Sequence, residues 1–496
     1  MSASSEKKRR QIEREQGTDK STLAKQEAEA RAKKSKRDWT IGTVLIVLLL
    51  AAIFVLNSSL PYKLPAAAVE DTTFSVGSMN YFYTNVSNPY TYYGIDISGV
   101  KDEETGETWR EYFQEQAVEN ARYLEGLYQK AVSEGFTLSE EGKERVETTM
   151  NSLPETAKNY HYSSVKKFLA ANYGHGVTEN VIREILEKSE LVSEYIQSIQ
   201  DGFTYTEEEL SQYFQEHKAD YQTYSYLYYT VAAETEETTN EAGETVTTVV
   251  EGGLEAAKAA ADTIAAAAKD EASFDEAVNA YMEGKTSQVG NNVASSISEL
   301  YRDWVTDPGR KTGDVTVVGN ENGYTVVLFQ STEEQTYPEV AVRHILIKTE
   351  DTDGDGSYSQ EEMDAALAKI QEVEAEWKAG EQTEEAFAAL VEKYSADAGS
   401  NTNGGLYEGI YKGQMVEEFN DFCFADGRKT GDTGIVHGSS ANYDGYHLIY
   451  FVGEGQSHSL TLARNSLVST AYTEWEEGVL AEVTADTKMG YGLIGK

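Results

Sequence analysis

Apolar residues fall along this chain in several distinct patterns. From Trp39 to Leu56 they form one unbroken run, WTIGTVLIVLLLAAIFVL, with no charged residue. At 1.5 Å per residue the run rises about 27 Å, enough with its flanks for a bilayer core of about 30 Å. Residues 60–100 read as an irregular lead-in with a short strand near Thr73–Val76. From 100 to 220 the period is helical. Trp109, Phe113, Ala117, Ala121, Leu124 and Tyr128 share one face, with Gly135 as a stop. Ile182, Ile185, Leu186, Val192, Ile196 and Ile199 stripe a second helix over 179–199. Thr206 with Glu209 forms a capping box that opens a third, carrying Leu210, Tyr213 and Phe214. Beyond 223, short alternating strands enclose Ala-rich helices. Residues 459–482 are helical again, with Leu460, Ala463, Leu467, Ala471, Trp475 and Val479 on one side. That last helix has no partner in the segment before it, so it is expected to fold back onto the N-terminal helical unit.

The alternating region repeats. GRKTGD stands at 309–314 and again at 427–432, each followed by an NGY or DGY turn, at 322–324 and 444–446, and an apolar strand. Upstream, YSYLYYTV (224–231) parallels VRHILIKT (342–349), and an Ala-rich helix follows each, over 254–269 and 361–379. The chain therefore carries two α+β modules of one fold, joined near Tyr337-Pro338. The acidic stretch AAETEETTNEAGETVTTVVEGG (232–253) reads as a mobile insertion in the first copy.

Charge separates the two ends of the apolar run. Residues 1–38 hold 12 Lys and Arg against 7 Asp and Glu, a net of +5; the whole chain is −42, so the rest carries −47. KKSKRD directly precedes the run, and the positive-inside rule places that end in the cytoplasm. The competing reading is a cleaved signal peptide ending near Ala66-Ala67-Ala68, but the basic lead-in and the apolar run are both too long for a usual signal. The single Cys423 lies far downstream, which excludes a lipoprotein anchor, an internal disulfide and a multi-Cys zinc site. Everything beyond about residue 58 is then expected on the outer side of a bacterial cell membrane, held by a single pass. So acidic a chain repels nucleic acid and attracts cations. With 33 Tyr and 11% aromatic residues it has the apolar surface to fold.

The second repeat concentrates chemistry. It holds His344, His437, His447 and His458, and its landmarks are VRHILIK, KYSADAGSNTNGGL, KGQMVEEFNDFCF and DGYHLIYF. In order and spacing these four blocks resemble the parvulin-type (PpiC) peptidyl-prolyl cis-trans isomerases over about 337–455. The whole chain is similar to the PrsA/SurA-type extracytoplasmic foldases of bacteria. The resemblance implies that His344 and His447 are the paired central histidines, with Asp397 in the position that is Cys or Asp across the family. It implies that Leu406, Met415, Phe419 and Phe424 form the apolar floor under the proline ring. The sequence departs from the family in two places: GGL stands one residue further from GQM, and HGSSAN stands where a Thr or Ser usually bonds the inner histidine. Ser439, Ser440 and Asn442 are the candidates for that hydroxyl or amide, and the sequence does not choose among them. Cys423, between two Phe, reads as a packing residue. The chemistry agrees with the resemblance. Rotation about an X–Pro bond crosses a barrier of roughly 18–20 kcal/mol and breaks no bond, so catalysis needs no cofactor. In the first repeat Tyr226 is read at the position of His344 and Thr325 at that of His447; the fold is expected to persist without the activity.

A second motif, DTDGDGSYSQEE over 351–362, has the ligand spacing of a calcium loop: Asp351, Asp353, Asp355, Ser357 through its carbonyl, Ser359 and Glu362, with Gly356 at the turn. The alternative is a solvated acidic turn. If Ca2+ binds, it is expected to order the loop beside the substrate groove.

The expected fold class is α+β. In order, it comprises a cytoplasmic basic tail (1–38), a transmembrane helix (39–57), an all-helical SurA-like chaperone unit (58–222), a degenerate parvulin-like module (223–336), a parvulin module (337–456) and a returning C-terminal helix (457–496). The expected function is a membrane-anchored isomerase and foldase for unfolded exported polypeptides. Self-association through the helical unit is left open. The competing functions are a holdase whose parvulin modules only bind peptide and a structural or adhesive calcium-binding surface protein.

Overall fold

The helical and the alternating parts of the sequence separate into two compact units, Met1–Phe203 with Thr470–Lys496, and Thr204–Ser469. The computed structural model describes residues 59–239, 245–440 and 443–496, with scattered positions before 59. The apolar run at 39–57 and the basic tail before it lie largely outside these residues. Among the described residues no helix is long and apolar enough to cross a membrane.

In the first unit, strands β1 (Pro65–Val69) and β2 (Thr72–Ser75) pair antiparallel and lead into helix α1 (Val76–Tyr92). The Ser75 hydroxyl caps α1, accepting from the Ser78 N–H at 3.1 Å. The short strand expected near Thr73–Val76 is therefore β2, and the rest of the stretch read as irregular holds a second strand and a helix. Its helical period is obscured because polar Asn80 and Ser87 are buried along with Met79 and Phe82. Asn80 is matched on both sides, donating to the His175 carbonyl at 2.7 Å and accepting from the Gly495 N–H at 2.9 Å. Helix α2 (Trp109–Ser133) opens with a capping box between Thr108 and Glu111 and buries Phe113, Ala117 and Ala121. Gly135, at φ +81°, follows its end. Helices α3 (Glu140–Asn159) and α4 (Val165–Asn172) were not legible in the apolar pattern; α5 (Glu179–Gly202) buries Ile182, Ile185 and Val192. A terminal strand, Ala485–Thr487, pairs with β1, and the Trp475 ring packs 5.7 Å from that of Tyr195.

The second unit opens with α6 (Glu207–Glu216), where both bonds of the Thr206–Glu209 capping box form. Two four-stranded sheets follow. The first joins β3 (Thr223–Ala232), β6 (Gln288–Val293), β7 (Val315–Asn320) and β8 (Gly323–Glu333) in the order β6-β3-β8-β7. Helices α7 (Gly253–Ala267) and α8 (Glu271–Tyr281) bury one face. Within the acidic insertion, β4 (Thr235–Thr239) and β5 (Thr245–Val249) pair antiparallel. The second sheet joins β9 (Pro338–Lys348), β10 (Leu406–Ile410), β11 (Thr433–Ser440) and β12 (Tyr443–Ser457) in the order β10-β9-β12-β11, the same topology. Helices α9 (Gln360–Ala379) and α10 (Glu384–Tyr394) cover one face through Ile370, Trp377, Phe387 and Val391 against Ile345, Leu448 and Tyr450. Helix α11 (Glu417–Cys423) covers part of the other through Phe419, Phe422 and Cys423 against Val342, Ile449 and Phe451. Burial on both faces is why β9 and β12 read as nearly continuous apolar runs. Helix α12 (His458–Leu480) gives its first half to this unit.

Strand registers correct one correspondence between the repeats. Thr325 pairs with Thr230 as His447 pairs with Leu346, and Tyr228 pairs with Val327 as His344 pairs with Ile449. Tyr228, not Tyr226, therefore stands where His344 does, two residues on from its place in a gapless alignment of the two opening strands. Tyr226 corresponds to Val342, and its ring fills the space over Gly290, where an added Cβ would lie 2.3 Å from it. Tilted against Tyr228 at 5.9 Å and edge-on to Tyr301 at 5.6 Å, it occupies the first module's counterpart of the site described next. The hydroxyls of Thr230 and Thr325 bond each other at 2.9 Å, in place of an imidazole network.

Candidate active site

The α11 face of the second sheet carries the site. Side chains alternate across a strand, so His344, Leu346 and Lys348 of β9 share the face of Val342, and Tyr443 and His447 of β12 share theirs. A cleft of about 560 Å³ opens there, lined by His344, Leu346, Asp397, Tyr407, Met415, Phe419, Tyr443 and His447 among others.

Polar contacts run through it as one chain. The Asp397 Oδ2 atom lies 3.0 Å from His344 Nε2, and accepts from Ser400 Oγ at 2.5 Å and from Tyr407 OH at 3.1 Å. His344 Nδ1 lies 3.0 Å from His447 Nδ1, with the rings stacked at 5.2 Å. His447 Nε2 lies 3.0 Å from Tyr443 OH. Asp397 as a carboxylate can only accept, so His344 carries its proton on Nε2 and presents a lone pair at Nδ1. His447 must then donate from Nδ1, which leaves Nε2 to accept from Tyr443. One direction satisfies every bond with both imidazoles neutral.

Electrostatics support that assignment. The hydrogen bond from His344, helped by the one from Ser400, holds the Asp397 carboxyl well below the usual carboxylate range against its partial burial. Burial, followed by the neighbouring His344, pushes His447 down to about 3, so its ring is neutral at physiological pH. Both histidines are buried, at 4% and 5% exposure. Tyr443 is held above its ordinary value by burial, and so remains a donor.

Local sequence explains the placement. Asp397 lies just beyond the end of α10, where Ala396 donates to the Leu346 carbonyl and Ser395 accepts from the Leu346 N–H, tying the YSAD segment to β9. Gly405, at φ +74°, lies against β9 so closely that a Cβ would meet the His344 carbonyl at 2.5 Å. On β11, Gly438 faces the inner histidine: a Cβ would lie 2.7 Å from His447 Nε2 and 3.0 Å from Tyr443 OH.

Of the expected site residues, His344, Asp397, His447, Met415 and Phe419 come together. Leu406 and Phe424 do not line the cleft. Leu406 pairs with Arg343 and so lies on the other face of β10; its neighbour Tyr407 points into the site. Phe424 caps α11 and packs its edge on Tyr337 at 5.7 Å. The hydroxyl on the inner histidine belongs to Tyr443, not to Ser439 or Ser440; Asn442 lies outside the described residues. Strand alternation carried the signal for Tyr443, Leu346 and Lys348, four, two and four residues from a central histidine on the same face. No comparable signal marked Ser400. Burial pushes the Cys423 thiol up to about 12, in keeping with a packing role.

Only part of the expected calcium set converges. Asp351, Asp353 and Asp355 each bring a carboxylate oxygen within 4.8 Å of the others, all exposed. Glu362 is turned away. It accepts from the Thr352 hydroxyl and N–H, both at 2.6 Å, and from the Ser359 N–H and hydroxyl, both at 2.9 Å, as the capping box of α9. Those bonds, Thr352's first, hold it at about 2. Ser359 is likewise the N-cap, and the Ser357 hydroxyl donates to Asp355.

The site is thus a paired-histidine network over an apolar cleft, on a β10-β9-β12-β11 sheet. Residues 324–453 match the family model described as the PPIC-type PPIASE domain. Among curated relatives, Foldase protein PrsA 1 of Listeria monocytogenes is 32% identical over 137 residues, 28% of this chain and 38% of that protein. Chaperone SurA of Alkalilimnicola ehrlichii is 29% identical over 157 residues, 30% of this chain and 34% of that protein. The chain thus matches well under half the length of either. The crystal structure of PrsA from Bacillus subtilis aligns with 78% of this chain and 93% of its own, at 13% identity and a TM-score of 0.31.

Proposed function

We propose that this chain is a membrane-anchored, extracytoplasmic peptidyl-prolyl isomerase and foldase for exported polypeptides. The observation that carries the reading is the closed Tyr443–His447–His344–Asp397 network beneath the apolar cleft of 337–456. The match of 324–453 to the isomerase family supports it. Proline ring and amide are treated differently in this site. Met415, Phe419 and Leu346 receive the ring, gaining roughly 25 cal/mol for each Å² of apolar surface covered. His344, His447 and Asp397 set a fixed, water-poor field beside the rotating carbonyl, and stabilise the twisted amide over either planar form. Asp397 acts as an acceptor, not a nucleophile: one of its oxygens already takes three hydrogen bonds. The first module, whose counterpart site is filled by Tyr226 and Tyr301, holds no such field and does not isomerise. The expected anchor is the apolar run at 39–57, with the basic residues before it on the cytoplasmic side.

The second reading is a holdase that uses the modules only to bind peptide. Refolding of a test protein limited by prolyl isomerisation separates the two. The isomerase reading predicts that catalytic amounts of the full chain accelerate the slow phase, whereas a holdase suppresses aggregation without accelerating it.

Calcium is part of the same proposal at the 351–362 loop. Asp351, Asp353 and Asp355 would hold the ion, and Glu362 would join only by leaving its helix cap. Such a site is weak, with a Kd on the order of 10⁻⁴–10⁻³ M. Millimolar Ca2+ should raise the melting temperature of the full chain, and less in an Asp351→Asn/Asp353→Asn variant. Identical melting with Ca2+ and with a chelator contradicts it.

A further inference from the structure

The mechanism leaves one buried imidazole unused. His458, the first residue of α12, is 7% exposed, and its Nδ1 lies 2.7 Å from Oε1 of Glu339, itself 6% exposed, near the start of β9. Desolvation offsets much of the attraction in a buried pair of this kind, so its consequence lies more in the orientation it gives the ring than in stability. That orientation serves two contacts. The His458 ring stacks on Tyr337, at 5.4 Å and 20°, and on Tyr411, at 4.8 Å and 14°.

Tyr411 opens the loop 411–416 that joins β10 to α11, and this loop puts Gln414 and Met415 into the cleft. The Tyr411 N–H donates to Gln414 Oε1 at 3.1 Å, and the Gln414 N–H donates to the Tyr411 carbonyl at 3.2 Å, which closes the loop into a turn. The Gly413 N–H donates to Asn420 Oδ1 of α11 at 2.7 Å. The Lys412 N–H donates to the Tyr337 hydroxyl at 3.2 Å. The turn is thus held on one side by α11 and on the other by two aromatic rings that both stack on His458. Tyr337, Glu339, Tyr411 and His458 themselves stand outside the cleft lining.

We infer that His458 is a positioning residue for the proline-binding floor: through Tyr411 it sets where Met415 stands, without touching the substrate. The inference rests on the isomerase reading. Ring binding and amide rotation fall to different groups in this site, so they separate in the kinetics. The floor holds the ring alike in the planar and the twisted amide. Loosening it removes uniform binding, which raises KM and leaves kcat to the intact His344–His447–Asp397 network.

The test measures KM and kcat of the full chain on a short X–Pro peptide, by exchange NMR over a concentration series. The variants are Tyr411→Phe, Tyr411→Ala and His458→Ala/Glu339→Gln; the second change in the last avoids a buried carboxylate without its partner. Tyr411→Phe keeps the stacked ring and should keep the parent KM. Tyr411 is 40% exposed, so Tyr411→Ala should fold. It should raise KM by about three- to tenfold, the worth of one aromatic contact, with kcat within about twofold of the parent. The double variant should show the same split. An unchanged KM in Tyr411→Ala or in the double variant, a loss carried by kcat, or an equal rise of KM in Tyr411→Phe overturns the inference and leaves the isomerase reading standing. Absence of catalysis by a parent with an intact circular dichroism spectrum overturns that reading and this inference with it.

Discussion

Tyr443→Phe removes one hydroxyl and nothing else from the site. That hydroxyl is the only donor to His447 Nε2 among the described residues. The ring is 5% exposed, and an acceptor left unmet at that burial costs about 1–3 kcal/mol. The network cannot escape by reversing. If His447 moved its proton to Nε2, its Nδ1 lone pair would face His344 Nδ1 at 3.0 Å. His344 would then have to donate from Nδ1 and turn a lone pair on the Asp397 carboxylate, which is held ionised. The variant therefore keeps the tautomers and loses the anchor of the outer end, so His447 gains freedom where catalysis needs a fixed dipole. A cost of this size, if felt in the transition state, lowers kcat/KM by roughly tenfold with little change in KM. The assay is exchange NMR on an X–Pro peptide, alongside ring ¹⁵N shifts of the histidines. The parent should show His447 protonated on Nδ1 and His344 on Nε2. The reverse tautomers in the parent, or an unchanged rate and stability in Tyr443→Phe, would refute the argument.

Other outcomes follow from the same geometry. Gly438→Ala should be worse than Tyr443→Phe, because its Cβ would sit 2.7 Å from His447 Nε2 and 3.0 Å from Tyr443 OH; overpacking of this kind costs about 1–3 kcal/mol, and peptide exchange should fall by more than about tenfold while circular dichroism is retained. Stability should also depend on pH through His447. Its folded pKa, about 3, lies below the ordinary 6.5, so the unfolded chain binds the proton first; the stability linked to it is complete above 6.5 and is lost as pH falls toward 3, by about 1.4 kcal/mol per pH unit at most. The difference in urea stability between the parent and His447→Gln should accordingly shrink by about 1 kcal/mol between pH 7.5 and 5.5. Parallel pH profiles of the two proteins would contradict the neutral buried ring.

How much of this was legible in the sequence depended on whether the signal was local. The repeat was legible because GRKTGD and the turn before the closing strand are contiguous, and the strand order of the two sheets agrees with it. His344, Asp397, His447, Met415 and Phe419 were legible because short motifs carry them. Leu406 was misplaced for a reason of period: one step along a strand reverses the face, and the motif fixed the segment without fixing which residue points inward. Tyr228 was missed because the opening strands look alike at more than one offset, and only their pairing with the closing strands sets which residue matches His344. Tyr443 was obscured because two small hydroxyls and an amide, in HGSSAN, directly precede it, although parity with His447 pointed to it. Glu362 shows a different kind of competition. Ser359 and Glu362 satisfy the capping-box spacing and the calcium-loop spacing at once, and the helix cap takes both. Helix α1 was hidden because its inner face buries Asn80, whose amide is matched by partners 95 and 415 residues away in sequence.

The central claim is that the 337–456 module isomerises prolyl bonds through its paired histidines. The most direct test is the cis/trans exchange rate of a short X–Pro peptide with the full chain and with His447→Ala at equal concentration. The account predicts exchange well above the uncatalysed rate, which takes tens of seconds or longer, and a fall of at least about tenfold in the variant. Exchange that is uncatalysed by the folded parent, or equally fast in His447→Ala, would contradict it.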